Sequence, residues 1–130
     1  AARGVRVRGG GVVSERRLRE RWFGSFDGGS DAEYGSVWKH DAVDADHEEF
    51  GVESVNSVIR RTTELVLEVE KELSSESSDD GSLERWDCVL VAHGDVLQIL
   101  QTAFQKVDGR THRSLKHLET ATIRTLALAP

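Results

Sequence analysis

The stretch Asp87-Cys88-Val89-Leu90-Val91-Ala92-His93-Gly94-Asp95 decides the reading of the fold. Asp87 to Ala92 is a nearly all-apolar run, the pattern of a strand covered on both faces. His93-Gly94-Asp95 punctuates it, and Val96, Leu97, Ile99, Leu100, Ala103 and Phe104 then recur at helical spacing. Strand, turn and helix in this order predict an α/β domain: a three-layer sandwich whose mostly parallel sheet is flanked by helices. Cys88, inside the apolar run, reads as a small buried hydrophobe. It is the chain's single cysteine, so no disulfide is implied and a reducing, cytoplasmic setting is the default.

Upstream of this unit, Val55, Val58, Ile59, Thr62, Leu65, Val66, Val69 and Leu73 repeat at spacings of three and four. With Ser54 as the cap, residues 54–74 are predicted to form one amphipathic helix. The serine and acid tract from Ser74 to Gly81 has nothing to bury and reads as a mobile linker over 74–82. Residues 25–50, rich in Gly, Asp and Ser, read as a variable excursion with one short helix near Ala32 to Lys39. Residues 1–13 alternate apolar and charged residues before a glycine run, as an edge strand or an arm. Downstream, the alternation from Thr120 to Leu128 predicts a closing strand.

The composition narrows the function classes. At 130 residues and 38% hydrophobic content the chain can bury one core, and no apolar run is long enough to cross a bilayer. The net charge of −6 is uneven, because residues 1–21 hold seven arginines and only Glu15 and Glu20 as acids. The basic end is where an anion would be met, although a solvated arm explains the same charges. Nucleic-acid binding finds no support in an acidic body without an aromatic-plus-basic recognition motif.

Several chemistries are excluded by spacing. The glycines at 9–11 lack the Gly-Lys-Ser/Thr of a phosphate-cradling loop, and Asp41 to Glu49 lacks the glycine of a calcium loop. His112 and His117 have no partners at zinc-like spacing, so neither a metal site nor a cofactor is expected. Arg110, Arg113 and Lys116 read as ordinary surface residues that would meet a phosphate only if placed to do so. There is no Gly-x-Ser-x-Gly nucleophile elbow.

Two positions carry a sharper expectation. His93 sits where a strand would end and a helix begin, a position at which backbone N–H groups favour an anion and an imidazole exchanges protons near neutral pH. Gly94 would let the backbone approach a ligand closely. Glu20, between Arg19 and Arg21, is either an exposed surface charge or a general acid held protonated by apolar neighbours such as Leu18, Trp22 and Phe23, and its burial decides between them.

Taken together, Leu18-Arg19-Glu20-Arg21-Trp22-Phe23-Gly24, Gly51-Val52-Glu53-Ser54 followed by Arg60, Val89-Leu90-Val91-Ala92-His93-Gly94 and Leu118 to Leu126 resemble segments of the histidine phosphatase (phosphoglycerate mutase-like) superfamily, in consecutive order over roughly residues 12–128. The resemblance implies Glu20 as proton donor and His93 as the second active-site histidine. It also implies Arg19, Arg21 and Gly94 at a small phosphorylated substrate, with phosphomonoester hydrolysis, or alternatively a phosphomutase reaction, through a phosphohistidine. The nucleophile would belong to an Arg-His-Gly motif, and the chain contains none. The resemblance therefore covers the C-terminal part of such a domain, 1–130 being a partial domain whose first strand and helix are missing. The chain alone is expected to be inactive. The alternative is a non-catalytic phosphate-binding or interaction module using Arg16, Arg17, Arg19, Arg21 and His93. Specificity would lie in the excursion, and the sequence fixes neither substrate nor oligomeric state.

Overall fold

The computed structural model describes residues 11–74, 81 and 87–130. Three α-helices organise them: α1, Tyr34–Asp41; α2, Val55–Ser74; and α3, Gly94–Gln105. Short 3-10 segments at Arg16–Leu18, Gly24–Phe26, Asp31–Glu33, Glu49–Gly51 and Gly109–Ser114 punctuate the loops between and after them.

α2 forms where the periodicity places it. Ser54 caps it, its hydroxyl accepting the Ser57 backbone N–H at 3.2 Å. The stripe of Val55, Val58, Thr62 and Leu65 is buried, while Leu67 and the last turns are largely exposed. α3 begins directly after His93 and stops at Lys106, whose left-handed backbone (φ 53°) lets its N–H and that of Val107 close the last turn on Ala103 and Thr102.

The main core lies between these two helices, where Val55 and Val58 of α2 meet Val96 and Ile99 of α3, with Ala45 completing the cluster and Ile59 and Ala92 packed at its edge. Each fully buried valine or isoleucine contributes roughly 1.5–3 kcal/mol. A second cluster joins Phe23, Val37 and Val52, backed by Phe26 and Tyr34, and seats α1 against the 3-10 turns. The excursion is thus more ordered than its composition suggests. Val37, Asp41, Ala45 and His47 within it are all buried.

Arg61 ties the N-terminal segment to α2. Its guanidinium donates to the Arg17 and Arg19 carbonyls at 2.6 and 3.0 Å and to the Glu53 carboxylate at 2.8 and 3.1 Å. Burial alone would raise the Glu53 pKa, but the hydrogen bonds and charge of Arg61, with the Ser57 hydrogen bond and the Arg19 charge, together outweigh it and hold that carboxyl below its usual range. Arg60, the arginine of the resemblance, is exposed.

The expected three-layer sandwich is not what forms. Among the described residues there is no strand and therefore no parallel sheet. A strand exists through hydrogen bonds to a neighbour. Residues 87–92 and the segment from Thr120 to Leu128 make no such ladder with each other or with any other described segment. Val89 and Val91 are 66% and 80% exposed, so one face of the apolar run has no cover, while Leu90 and Ala92 on the other are half-buried, Ala92 against the α2–α3 core. Cys88 is exposed as well, against the expectation of burial. Val12 and Val13 are irregular and exposed, while residues 1–10 of the expected arm and most of the 74–82 linker lie outside the described residues.

Candidate functional site

The motif around Glu20 owes its shape to Gly24, whose φ of 56° is a left-handed conformation. A Cβ there would stand 2.0 Å from the Phe50 carbonyl oxygen, so only glycine lets this turn and the 49–51 turn touch. The Glu53 N–H donates to the Trp22 carbonyl at 2.9 Å and fixes the segment from the other side.

Held in this way, the Glu20 carboxylate accepts the Arg21 backbone N–H at 2.9 Å and comes within 3.5 Å of His93 Nδ1. The two side chains are 43% and 53% exposed, open to solvent yet partly shielded. Burial raises the Glu20 pKa, and the Arg21 N–H together with the nearby charges of His93 and Arg61 only partly offsets this. Glu20 therefore keeps its proton to higher pH than a free glutamic acid.

His93 is the N-cap of α3, with extended backbone and a carbonyl that accepts the Leu97 N–H at 2.9 Å. Its side chain makes no capping bond, so the ring stays available beside Glu20. The first-turn N–H groups of a helix have no intrahelical acceptor and point toward this end.

Glu20 and Gly94 line a cleft of about 300 Å³. Phe23, Tyr34 and Trp38 form its aromatic lining, with the Phe23 and Tyr34 rings stacked at 3.7 Å and Trp38 set edge-on to Tyr34. Arg113 and His117 line it from the C-terminal segment, and Asp31 and Asp95 add two further carboxylates. Gly94 leaves room here for the His117 ring, since a Cβ would lie 2.8 Å from its Cε1 and the ring would have to shift.

The C-terminal segment is docked through two polar residues of α3. Buried Gln98 donates to the Leu115 carbonyl at 2.7 Å, and Gln101 donates to the Lys116 carbonyl at 3.1 Å. Arg124 adds bonds to the carbonyls of Lys116 and His117 at 2.7 and 2.9 Å. Arg113 lies over the Trp38 ring at 3.7 Å, donates to Gln98 at 2.6 Å and approaches Asp95 at 3.8 Å.

The two arginines of the motif part company. Arg19 is half exposed, reaching the Arg16 carbonyl at 3.3 Å and Glu53 at 3.8 Å, and it does not line the cleft. The Arg21 guanidinium has no exposed surface at all. It grips both oxygens of Asp41 at 2.7 and 2.8 Å, the Glu53 carbonyl at 2.7 Å and Asp95 at 3.4 Å. Asp95 in turn accepts the Trp38 indole N–H at 3.1 Å. Arg21 thus orients the cleft from behind and presents no donor to it.

Of the residues the motifs singled out, Glu20 and Gly94 line the cleft and His93 stands 3.5 Å from Glu20. Arg113, His117 and Trp38 join them without having been singled out for the site. Their signal was indirect: Gln98 and Gln101, three apart on an otherwise apolar helix, require hydrogen-bonding partners when buried. Among the described residues no group of three or more His, Cys, Asp or Glu side chains is placed to hold a metal, and no helix is long and apolar enough to cross a membrane.

Comparison with known proteins gives the same placement. No curated protein sequence matches the chain. In structure it resembles mycobacterial hydrolase 1, with a TM-score of 0.58 and 27% sequence identity over 82% of this chain; the chain spans 51% of that protein's length. The family model of the histidine phosphatase superfamily (branch 1) matches residues 2–130. With its family matched over nearly every residue, with Glu20 and Gly94 lining one cleft and His93 3.5 Å from Glu20, the chain belongs to the histidine phosphatase superfamily.

Proposed function

We propose that the cleft beside Glu20 and His93 is the acid and phosphate-holding part of a phosphatase site that acts on a small phosphomonoester. The observation that carries this reading is the 3.5 Å approach of the Glu20 carboxylate to His93 Nδ1 beside an open cleft. Glu20, whose proton partial burial holds to higher pH than in a free glutamic acid, gives that proton to the leaving oxygen as the ester bond breaks. His93 donates an N–H to a phosphoryl oxygen, and the N–H groups opening α3 add partial positive charge on the same side. Gly94 keeps the backbone close to the ligand.

Hydrolysis of this type also needs an attacking histidine, and no Arg-His-Gly occurs in the 130 residues. His93, next to its acid, is not placed to serve as both nucleophile and phosphate donor. The chain by itself therefore binds phosphate without turning over esters, and turnover belongs to a longer form that supplies an Arg-His-Gly segment. The missing motif equally favours a second reading, a phosphate-binding module with no catalysis in any form.

Phosphate release from phenyl phosphate separates the two. The 130-residue chain is expected to release none. A longer form containing Arg-His-Gly is expected to release phosphate, and to lose about 100-fold or more with Glu20→Gln or His93→Ala. A longer form that carries the motif, folds and remains inert would leave the binding module as the correct reading.

A further inference from the structure

In the Gly109–Ser114 turn the buried residues are Gly109 and His112, so His112 is the one side chain that the turn sends into the interior. The ring is fully buried, and neither of its nitrogens has a hydrogen-bond partner among the described residues. Nε2 stands 3.3 Å from Asp41 Oδ2 without forming a bond. A buried polar group left unpaired is rare in a folded chain and calls for a reason. Asp41 has little left to offer it. Arg21 holds both Asp41 oxygens at 2.7 and 2.8 Å, and His47 Nε2 meets Oδ1 at 2.6 Å. His47 Nδ1 accepts the Glu49 N–H, so the His47 proton lies on Nε2, toward Asp41.

The charges that face His112 balance before it takes a proton. α1 presents Asp41, α3 presents Asp95, the segment before Gly24 presents Arg21, and the turn itself presents Arg113. α2 presents uncharged Val55, Asn56 and Ile59 to the adjoining Gly109. Two carboxylates thus meet two guanidinium groups. An imidazolium at His112 would add an unmatched positive charge with no exposed surface to hydrate it. Burial outweighs the pull of Asp95 and Asp41 and keeps the ring neutral at neutral pH.

We propose that the Gly109–Ser114 turn is an acid-released latch: when His112 takes a proton, the turn leaves the core and draws the C-terminal wall of the cleft, Arg113 and His117, away with it. The turn's own bonds do not reach the core. The Arg110 N–H and guanidinium donate to Asp108 at 2.9 and 2.8 Å, and the Ser114 hydroxyl donates to the Thr111 carbonyl at 2.7 Å, all of them exposed. The other anchors, Arg113 on Gln98 and Trp38 and Gln98 on the Leu115 carbonyl, lie at the cleft and are lost with the turn. In the released turn the ring is hydrated and titrates near the ordinary histidine value of about 6.5, whereas the seated ring resists the proton. Release is therefore favoured as pH falls below that value and opposed above it. The latch does not depend on which ligand the cleft holds.

The test is backbone hydrogen exchange in the 130-residue chain, followed by NMR at about pH 7.5 and about pH 5.5 and corrected for the intrinsic pH dependence of exchange. Thr111 and Leu115, whose N–H groups donate to the Asp108 and His112 carbonyls at 2.9 and 3.1 Å, report the turn, and buried Thr62 reports α2. Thr111 and Leu115 are expected to be less protected than Thr62 at both pH values, and to lose protection roughly three- to tenfold at the lower one. His112→Phe and His112→Leu, both neutral at either pH, are expected to abolish that loss. Inorganic phosphate should bind the wild type and His112→Phe alike at the higher pH, and the wild type roughly threefold or more weakly at the lower. No loss of protection in acid, or the same loss in the neutral variants, would overturn the latch. So would protection at Thr111 and Leu115 equal to that of Thr62, which would mean that the turn opens only with the whole fold. A turn loosened by acid while both proteins bind phosphate equally would break the link to the cleft and overturn the proposal as well. Absence of phosphate binding at either pH would overturn the reading of the cleft, and the exchange data would then decide the latch alone.

Discussion

Arg21 and Asp41 form a two-pronged ion pair at 2.7 and 2.8 Å in which neither side chain has any exposed surface. Asp41 also meets His47 Nε2 at 2.6 Å, so a single carboxylate joins α1, the loop after it and the motif segment. Burial by itself would favour a neutral Arg21, but the hydrogen bonds and charges of Asp41 and Asp95 together prevail and keep it charged. Removing one partner strands the other's charge in the interior. Arg21→Gln and Asp41→Asn are each expected to destabilise the chain by about 3–5 kcal/mol in urea unfolding, whereas replacing both by apolar residues should cost less than the sum. Destabilisation below about 1 kcal/mol for either single change would show that the pair is solvated.

Gly24→Ala tests the turn that carries Glu20. The new Cβ would meet the Phe50 carbonyl in a left-handed backbone, so both strain and collision oppose it. A loss of roughly 2 kcal/mol or more is expected in thermal unfolding, together with weakened anion binding as Glu20 shifts from His93. An alanine variant as stable as the wild type would mean that the two turns do not touch.

Glu20 gives a pH signature with an unusual sign for a carboxyl. Its pKa in the folded chain is raised above 4.5, chiefly by burial. Its contribution to stability is complete below about pH 4.5 and is lost as pH rises through the higher folded value. Glu20→Gln, which stays neutral, should therefore gain stability relative to the wild type on going from pH 4.5 to pH 7. Parallel stability profiles for the two proteins would contradict a raised pKa.

His112 has the opposite sign. It is completely buried, and among the described residues neither ring nitrogen has a hydrogen-bond partner, although Nε2 lies 3.3 Å from Asp41. Burial lowers its pKa from 6.5, and the charges of Asp95 and Asp41 only partly restore it. The neutral ring is favoured by folding, so stability is full above about pH 6.5 and declines as pH falls toward the lower folded value. His112→Phe should flatten that decline and match or exceed wild-type stability at neutral pH by up to about 1 kcal/mol, since it removes an unsatisfied polar group at similar volume. An unchanged slope in acid-dependent melting would place the titration elsewhere.

What the sequence disclosed depended on whether the signal was local. The Ser54 cap and the three-and-four spacing define α2 without reference to any other segment, and the structure follows them. Glu20, His93 and Gly94 could be named as candidates because each stands in a short motif. The sheet failed for a non-local reason, since an apolar run such as Cys88 to Ala92 becomes a strand only beside another strand. No described segment provides one. Arg21 was misplaced as a substrate contact because its sequence neighbours are charged, while its partners Asp41 and Asp95 lie far along the chain. Arg113 and His117 were undervalued for the same reason, because the bonds of Gln98, Gln101 and Arg124 that hold their segment are tertiary.

The central claim, that Glu20 and His93 face a phosphate, is tested most directly by titrating inorganic phosphate into the 130-residue chain and into its His93→Ala variant, following the 31P signal at constant pH. The account predicts saturable broadening or shift with the wild type and at least about tenfold weaker binding with the variant, the scale of a hydrogen bond to a charged group. Equal binding by both proteins, or no binding by the wild type, would contradict it.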